Sequence, residues 1–143
     1  MAAKPGKQFP QMFVKLANVY TKSMKKRILT IEDDPDILEI LNIIFQDEDY
    51  EIIANSKGMS VDEITLVHPD LVLLDVRIAG FNKTGVQLCE ELKAFTATSH
   101  LPVVLLSAEQ NLEQMAKACG ADAYVSKPFD IDGLIDVINK FTS

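Results

Sequence analysis

An α/β fold, a doubly wound five-stranded parallel sheet with helices on both faces, is predicted by three observations. Strand-like and helix-like segments alternate about five times after residue 27. The central apolar runs, Leu71–Leu74 and Val103–Leu106, show no polar alternation, which marks strands covered on both faces. Strands separated by helices need right-handed crossovers and hence a parallel sheet. In such a sheet, ligands bind beyond the carboxyl ends of the strands, where the strand order reverses.

Taken in order, Ile28–Ile31 is the first strand, and Asp34-Pro35 supplies an N-cap followed by proline at the first helical position. Ile37, Ile40, Leu41 and Ile44 then recur at i, i+3, i+4, i+7, predicting one buried helical face. Tyr50–Asn55 reads as a second strand, and Ser60-Val61-Asp62-Glu63 as a capping box opening a short helix that ends near His68-Pro69. Thr84–Gln87 is another capping-box pattern, with Val86, Cys89 and Leu92 facing inward. Ser107-Ala108-Glu109-Gln110 also fits a capping box, ahead of a helix carrying Leu112, Met115, Ala116 and Cys119 and ended by Gly120 in a left-handed cap. Ala123–Ser126 is the last strand. Asp130 caps a final helix buried through Ile131, Leu134, Ile135 and Ile138.

The 143 residues suit one domain with a real core, and 48% apolar content excludes a disordered chain. The net charge of −7 is unevenly distributed: half of the 14 basic residues precede Ile28, and no acid precedes Glu32. Residues 1–25 are read as a basic extension, with Phe9, Met12, Phe13, Leu16 and Tyr20 on one helical face, and residues 26–143 as the folded domain. The acidic body argues against direct nucleic acid binding. Cys89 and Cys119 lack metal-ligand spacing and are expected to be free buried thiols. His68 and His100 are expected to be solvated loop residues. No apolar stretch approaches the roughly 20 residues of a spanning helix, and the first ten residues lack a secretory apolar core. A cytoplasmic protein without membrane contact is expected.

Four strand ends carry residues suited to phosphate chemistry: Glu32-Asp33, Asp75, Ser107 and Lys127. Clustered carboxylates repel unless a cation neutralises them, and oxygen-only donors of this kind suit Mg²⁺. A carboxylate at the rigid tip of a buried strand, here Asp75, is well placed as a nucleophile toward phosphorus. Lys127 and Ser107 could then meet the charge developing on the phosphoryl oxygens.

The segments KRILTIEDDPDI, DLVLLDVRIAG, LPVVLLSAEQ and GADAYVSKPF resemble those of response-regulator receiver domains of two-component signalling. The resemblance covers roughly residues 26–141 and is to the stand-alone, chemotaxis-regulator-like kind. It implies a flavodoxin-like (βα)5 fold and a phosphoacceptor signalling domain rather than an enzyme with an external substrate. It implies Asp75 as the acceptor, charged by a histidine kinase or histidine phosphotransfer protein. It also implies Glu32, Asp33, Asp75 and the backbone carbonyl of Arg77 as Mg²⁺ ligands. Ser107 and Tyr124 match the switch pair and Lys127 the phosphate-reading lysine, with a cis bond before Pro128.

This chain departs from the pattern in two places: Glu32 stands where Asp is commoner, and Ile78-Ala79 opens an unusually long loop carrying Phe81-Asn82-Lys83. Arg77 and Glu109, each two residues past a site residue, are expected to pair across the open side of the phosphate and slow its hydrolysis. The chain is expected to signal by contact with a downstream protein. A phosphorylation-independent pseudo-receiver and a fragment of a longer regulator are the alternatives, and a homodimer is left open.

Overall fold

The computed structural model describes residues 25–143, so the helix expected over Phe9–Tyr20 lies outside the described residues. Five strands and five helices alternate: β1 (Arg27–Ile31), α1 (Pro35–Asp47), β2 (Glu51–Asn55), α2 (Val61–Val67), β3 (Leu71–Leu74), α3 (Gly85–Ala94), β4 (Val103–Ser107), α4 (Leu112–Cys119), β5 (Ala123–Ser126) and α5 (Ile131–Thr142). The strands pair in parallel in the order β2-β1-β3-β4-β5, the flavodoxin-like doubly wound order.

Successive strand residues point to opposite faces, so the continuous apolar strands feed two cores at once. Val72 and Leu74 pack with Leu88, Leu92 and Leu112 under α2, α3 and α4. Leu71 and Leu73 pack with Leu41, Phe45, Leu134 and Ile138 under α1 and α5. Each fully buried large side chain is worth about 1.5–3 kcal/mol relative to exposure. On β1, Thr30 is 1% exposed on the α1–α5 side, and its hydroxyl has no hydrogen-bond partner.

The helix starts agree with the sequence signals. Asp34 accepts from the Asp36 and Ile37 N–H groups, Ser60 and Thr84 form complete capping boxes, and Asp130 accepts from Gly133. Gly120 ends α4 at φ 81°, a left-handed conformation that glycine adopts without a Cβ clash. Gly85 has a different reason: a Cβ there would lie 2.0 Å from the Asp75 carbonyl oxygen, and its N–H donates to Val76 O at 2.7 Å. The start of α3 is thereby pressed against the backbone that carries Asp75.

Four local expectations are corrected. Ser107 ends β4, and its hydroxyl accepts from the Glu109 N–H at 3.4 Å; α4 starts later, from Asn111, so there is no capping box. Ile40 is 44% exposed because Leu41, Ile44 and Phe45 centre the buried arc of α1 away from it. Ile131 is 54% exposed in the first turn of α5, where it lines a surface groove with Ile43 instead of entering the core. Tyr50 lies before β2, just after a positive-φ turn at Asp49 (φ 65°). Its ring meets Phe45 edge-on at 6.0 Å, and its hydroxyl reaches Asn139 and Thr142, tying α5 to the entry of β2. No helix among the described residues is long and apolar enough to cross a membrane.

Candidate functional site: an acidic cluster at the strand switch point

β1 pairs with β2 on one side and β3 on the other, so the strand order reverses beside β1. The carboxyl ends of β1 and β3 open at that point, where a doubly wound sheet leaves a crevice. Strand register fixes the geometry there. The Asp75 N–H donates to Ile31 O at 3.0 Å and the Glu32 N–H to Asn55 O at 3.0 Å, so both acids are still held by the ladder. Glu32, Asp33 and Asp75 bring carboxylate oxygens within 4.8 Å of one another.

The Lys127 ammonium bridges two of them, 2.5 Å from Glu32 Oε1 and 3.1 Å from Asp75 Oδ2. The Lys127 N–H donates to Ser107 O at 2.9 Å, which keeps the ends of β4 and β5 together, and the Lys127–Pro128 bond is cis as expected. Asp75 Oδ1 accepts from the Val76 N–H at 2.7 Å, and Glu32 Oε2 from the Asp34 N–H at 3.1 Å.

Glu32 is 1% exposed and Asp75 8%. Burial pushes the Glu32 carboxyl up to about 7; the Lys127 ammonium and the Asp34 N–H pull against that shift, and the charge on Asp75 adds to it. Burial also works against the Lys127 ammonium, but Glu32 and Asp75 more than offset it and hold Lys127 above the ordinary lysine value. A divalent cation fits this donor set: the donors are all oxygen, formally three negative charges are confined together, and one ammonium does not neutralise them.

The remaining expected residues surround the cluster. The Arg77 side chain is exposed and pairs with Glu109, Nε to Oε2 at 2.6 Å and a second guanidinium N–H to Oε1 at 3.4 Å, as the sequence spacing suggested. Tyr124 sits opposite Leu105 on the edge strand β5 and is 40% exposed.

Sequence reasoning missed how the long loop after Asp75 is fastened. The Ala79 N–H donates to Asp33 Oδ2 at 2.9 Å, so the loop is bonded to the acidic pair itself. The Phe81 ring lies over Gly58, where a Cβ would come within 2.4 Å of it. Gly58 in an Asn55-capped turn was the available signal, since its φ of 98° and the ring above it both require glycine. Cys89 and Cys119 are free and buried, with Cys89 Sγ donating to Cys119 O at 3.4 Å. His68 and His100 are exposed, and both line a groove at the opposite end of the sheet, outside the acidic cluster.

An acidic crevice with a half-buried lysine at the switch point of a (βα)5 sheet is a donor set suited to a divalent cation beside a phosphoryl group. The comparisons give the family. The response regulator receiver domain matches residues 28–139, and the chain belongs to this family. It is 31% identical over 119 residues to sporulation initiation phosphotransferase F of Bacillus subtilis, covering 82% of this chain and 94% of that one. It is 34% identical over 110 residues to the DNA-binding response regulator MtrA of Mycolicibacterium smegmatis, covering 75% of this chain but only 46% of that regulator.

Among solved structures, the response regulator TrrA of Thermotoga maritima in complex with Mg²⁺–BeF superposes with a TM-score of 0.70 at 30% identity, covering 81% of this chain and 98% of that one. The receiver domain of the sensor histidine kinase PA1611 of Pseudomonas aeruginosa, with magnesium in its active-site cleft, gives 0.74 at 21% identity, covering 82% and 98%. At that identity the likeness shows the fold alone. The protein is thus a receiver domain of two-component signalling.

Proposed function

We propose that Asp75 accepts a phosphoryl group from a phosphohistidine of a histidine kinase or phosphotransfer protein, and that the phosphorylated domain signals by contact with a downstream protein. The observation that carries this reading is the meeting of three carboxylates within 4.8 Å with the Lys127 ammonium bridging Glu32 and Asp75.

In the transfer, an Asp75 carboxylate oxygen attacks phosphorus, the phosphorus–nitrogen bond breaks, and the released imidazole takes a proton from solvent. The product is an acyl phosphate. Asp75 is held for this by the Val76 N–H on one oxygen, which leaves the other beside Lys127. Lys127 already faces the acceptor and can track a phosphoryl oxygen as it arrives, since its second partner, Glu32, keeps the ammonium in place. Ser107 stands at the end of the adjacent strand with its hydroxyl held only by a 3.4 Å contact from Glu109, free to rotate toward a phosphoryl oxygen. Mg²⁺ held by Glu32, Asp33, Asp75 and the Arg77 carbonyl would neutralise negative charge on the transferred group. Tyr124, half outside on β5, is the side chain through which a shift at Ser107 would reach the surface.

Incubation with Mg²⁺ and acetyl phosphate or phosphoramidate, followed by intact mass measurement, tests this. One added phosphoryl group, absent in Asp75→Asn, supports the reading. No addition with any donor favours a phosphorylation-independent interaction module.

A further inference from the structure

The face formed by α1 and α5 leaves three large apolar side chains in solvent: Ile40 at 44%, Ile43 at 63% and Ile131 at 54% exposure. Ile43 and Ile131 line one open groove with Ile44, and Gln46, Asp47 and Glu48 line the same groove. No base lies on α1 to neutralise this rim, while Asp36 and Glu39 on the same helix are also exposed. The surface is therefore an apolar strip edged with negative charge, a form that fits an amphipathic segment carrying lysines.

Such a segment belongs to this chain, and the described residues that follow it begin beside the groove. The Lys25 ammonium lies 3.0 Å from Asp49, two residues past the end of α1. The Lys26 carbonyl accepts the Glu51 N–H at 2.9 Å, which fixes where the preceding residues leave the body. Those residues, 1–24, hold Lys4, Lys7, Lys15 and Lys22 without any acid, and Phe9, Phe13, Leu16 and Tyr20 recur at helical spacing.

We propose that residues 9–20 occupy the α1–α5 groove of their own chain, apolar side chains on Ile43 and Ile131, with Lys15 and, from the tether, Lys22 toward the α1 acids. The lengths agree. Twelve residues of helix span about 18 Å, close to the about 20 Å of α1, and the four residues 21–24 reach up to about 13 Å. A tether this short gives an effective concentration in the millimolar range, so a weak contact in cis outcompetes the same contact with a second molecule at micromolar concentration. The acidic body also disfavours an anionic lipid surface as the occupant.

The test uses the full chain with labelled isoleucine methyl groups, alone and as the double variant Phe13→Asp, Leu16→Asp. The variant is expected to shift the Ile43 and Ile131 methyl signals and to leave those of the core residues Ile135 and Ile138 in place. Sedimentation velocity is expected to show monomers for both proteins. Shifts accompanied by a wild-type dimer assign the groove to a second copy and overturn the proposal. Unchanged Ile43 and Ile131 signals overturn it too, and sedimentation with phosphatidylserine vesicles then shows whether the segment serves a membrane instead.

Discussion

Two single residues, one on β1 and one just past its end, hold opposite kinds of imbalance. The Thr30 hydroxyl is buried without a partner, so it carries a desolvation cost that no hydrogen bond offsets. Thr30→Val keeps the shape and removes that cost; it is expected to stabilise the protein by about 1 kcal/mol in urea unfolding. Glu32, just past the strand, is the reverse, a buried group whose ionised form is opposed by its surroundings, with its carboxyl at about 7 against an ordinary 4.5.

Between these two values the folded state keeps a proton that the unfolded state has released. The stability from this group is complete at low pH and drains as pH rises through 7. In EDTA, wild-type stability is expected to fall from pH 5.5 to 8.5 by an amount of order 1–3 kcal/mol attributable to Glu32. In Glu32→Gln that part of the slope is expected to disappear; equal slopes in denaturation at the two pH values would show that Glu32 ionises freely.

Element by element, the site depends on the connection that leaves each strand. The strands and their succession along the chain were legible because apolar runs, caps and glycines all agreed, and the acids, Ser107 and Lys127 could be placed at the ends of those runs, whereas the flavodoxin-like sheet order came with the family resemblance. The connections were less legible. Ser107-Ala108-Glu109-Gln110 matches a capping box in sequence, yet β4 extends through Ser107 and the helix begins only after a turn. The fastening of the long loop depends on Phe81 reaching Gly58 and on Ala79 reaching Asp33, contacts between segments far apart in sequence that no local pattern encodes.

The Arg77–Glu109 pair joins the segments that leave β3 and β4. An exposed pair adds only about 0–1 kcal/mol to stability, so any role it has is expected in access to the phosphate rather than in folding. Arg77→Ala with Glu109→Ala is expected to shorten the acyl-phosphate lifetime several-fold while leaving the melting temperature nearly unchanged, as read by loss of bound phosphate over time. An equal or longer lifetime would remove the pair from that role.

For the whole molecule, the two cores and the site are linked through β1 and β3, which are central in the sheet and end at the acidic cluster. A ligand that binds only the folded crevice must therefore stabilise the entire domain. Mg²⁺ at about ten times its dissociation constant is expected to add about 1.4 kcal/mol to unfolding and raise the melting temperature by a few degrees, an effect largely lost in Asp33→Asn. Equal response of wild type and variant in calorimetry would show that the cation binds elsewhere. Exposure of Ile40 and Ile131 was not legible at this scale, because periodicity gives a helical face but not how far the neighbouring layer extends over it.

Asp75, and no other group at the strand ends, is proposed as the phosphoryl acceptor. The most direct measurement is borohydride trapping of the protein after treatment with acetyl phosphate and Mg²⁺, with peptide sequencing in a mass spectrometer. Reduction of an aspartyl phosphate leaves homoserine, which is predicted at position 75 alone. Homoserine at another acid, or none although phosphate has been incorporated, would remove Asp75 as the acceptor.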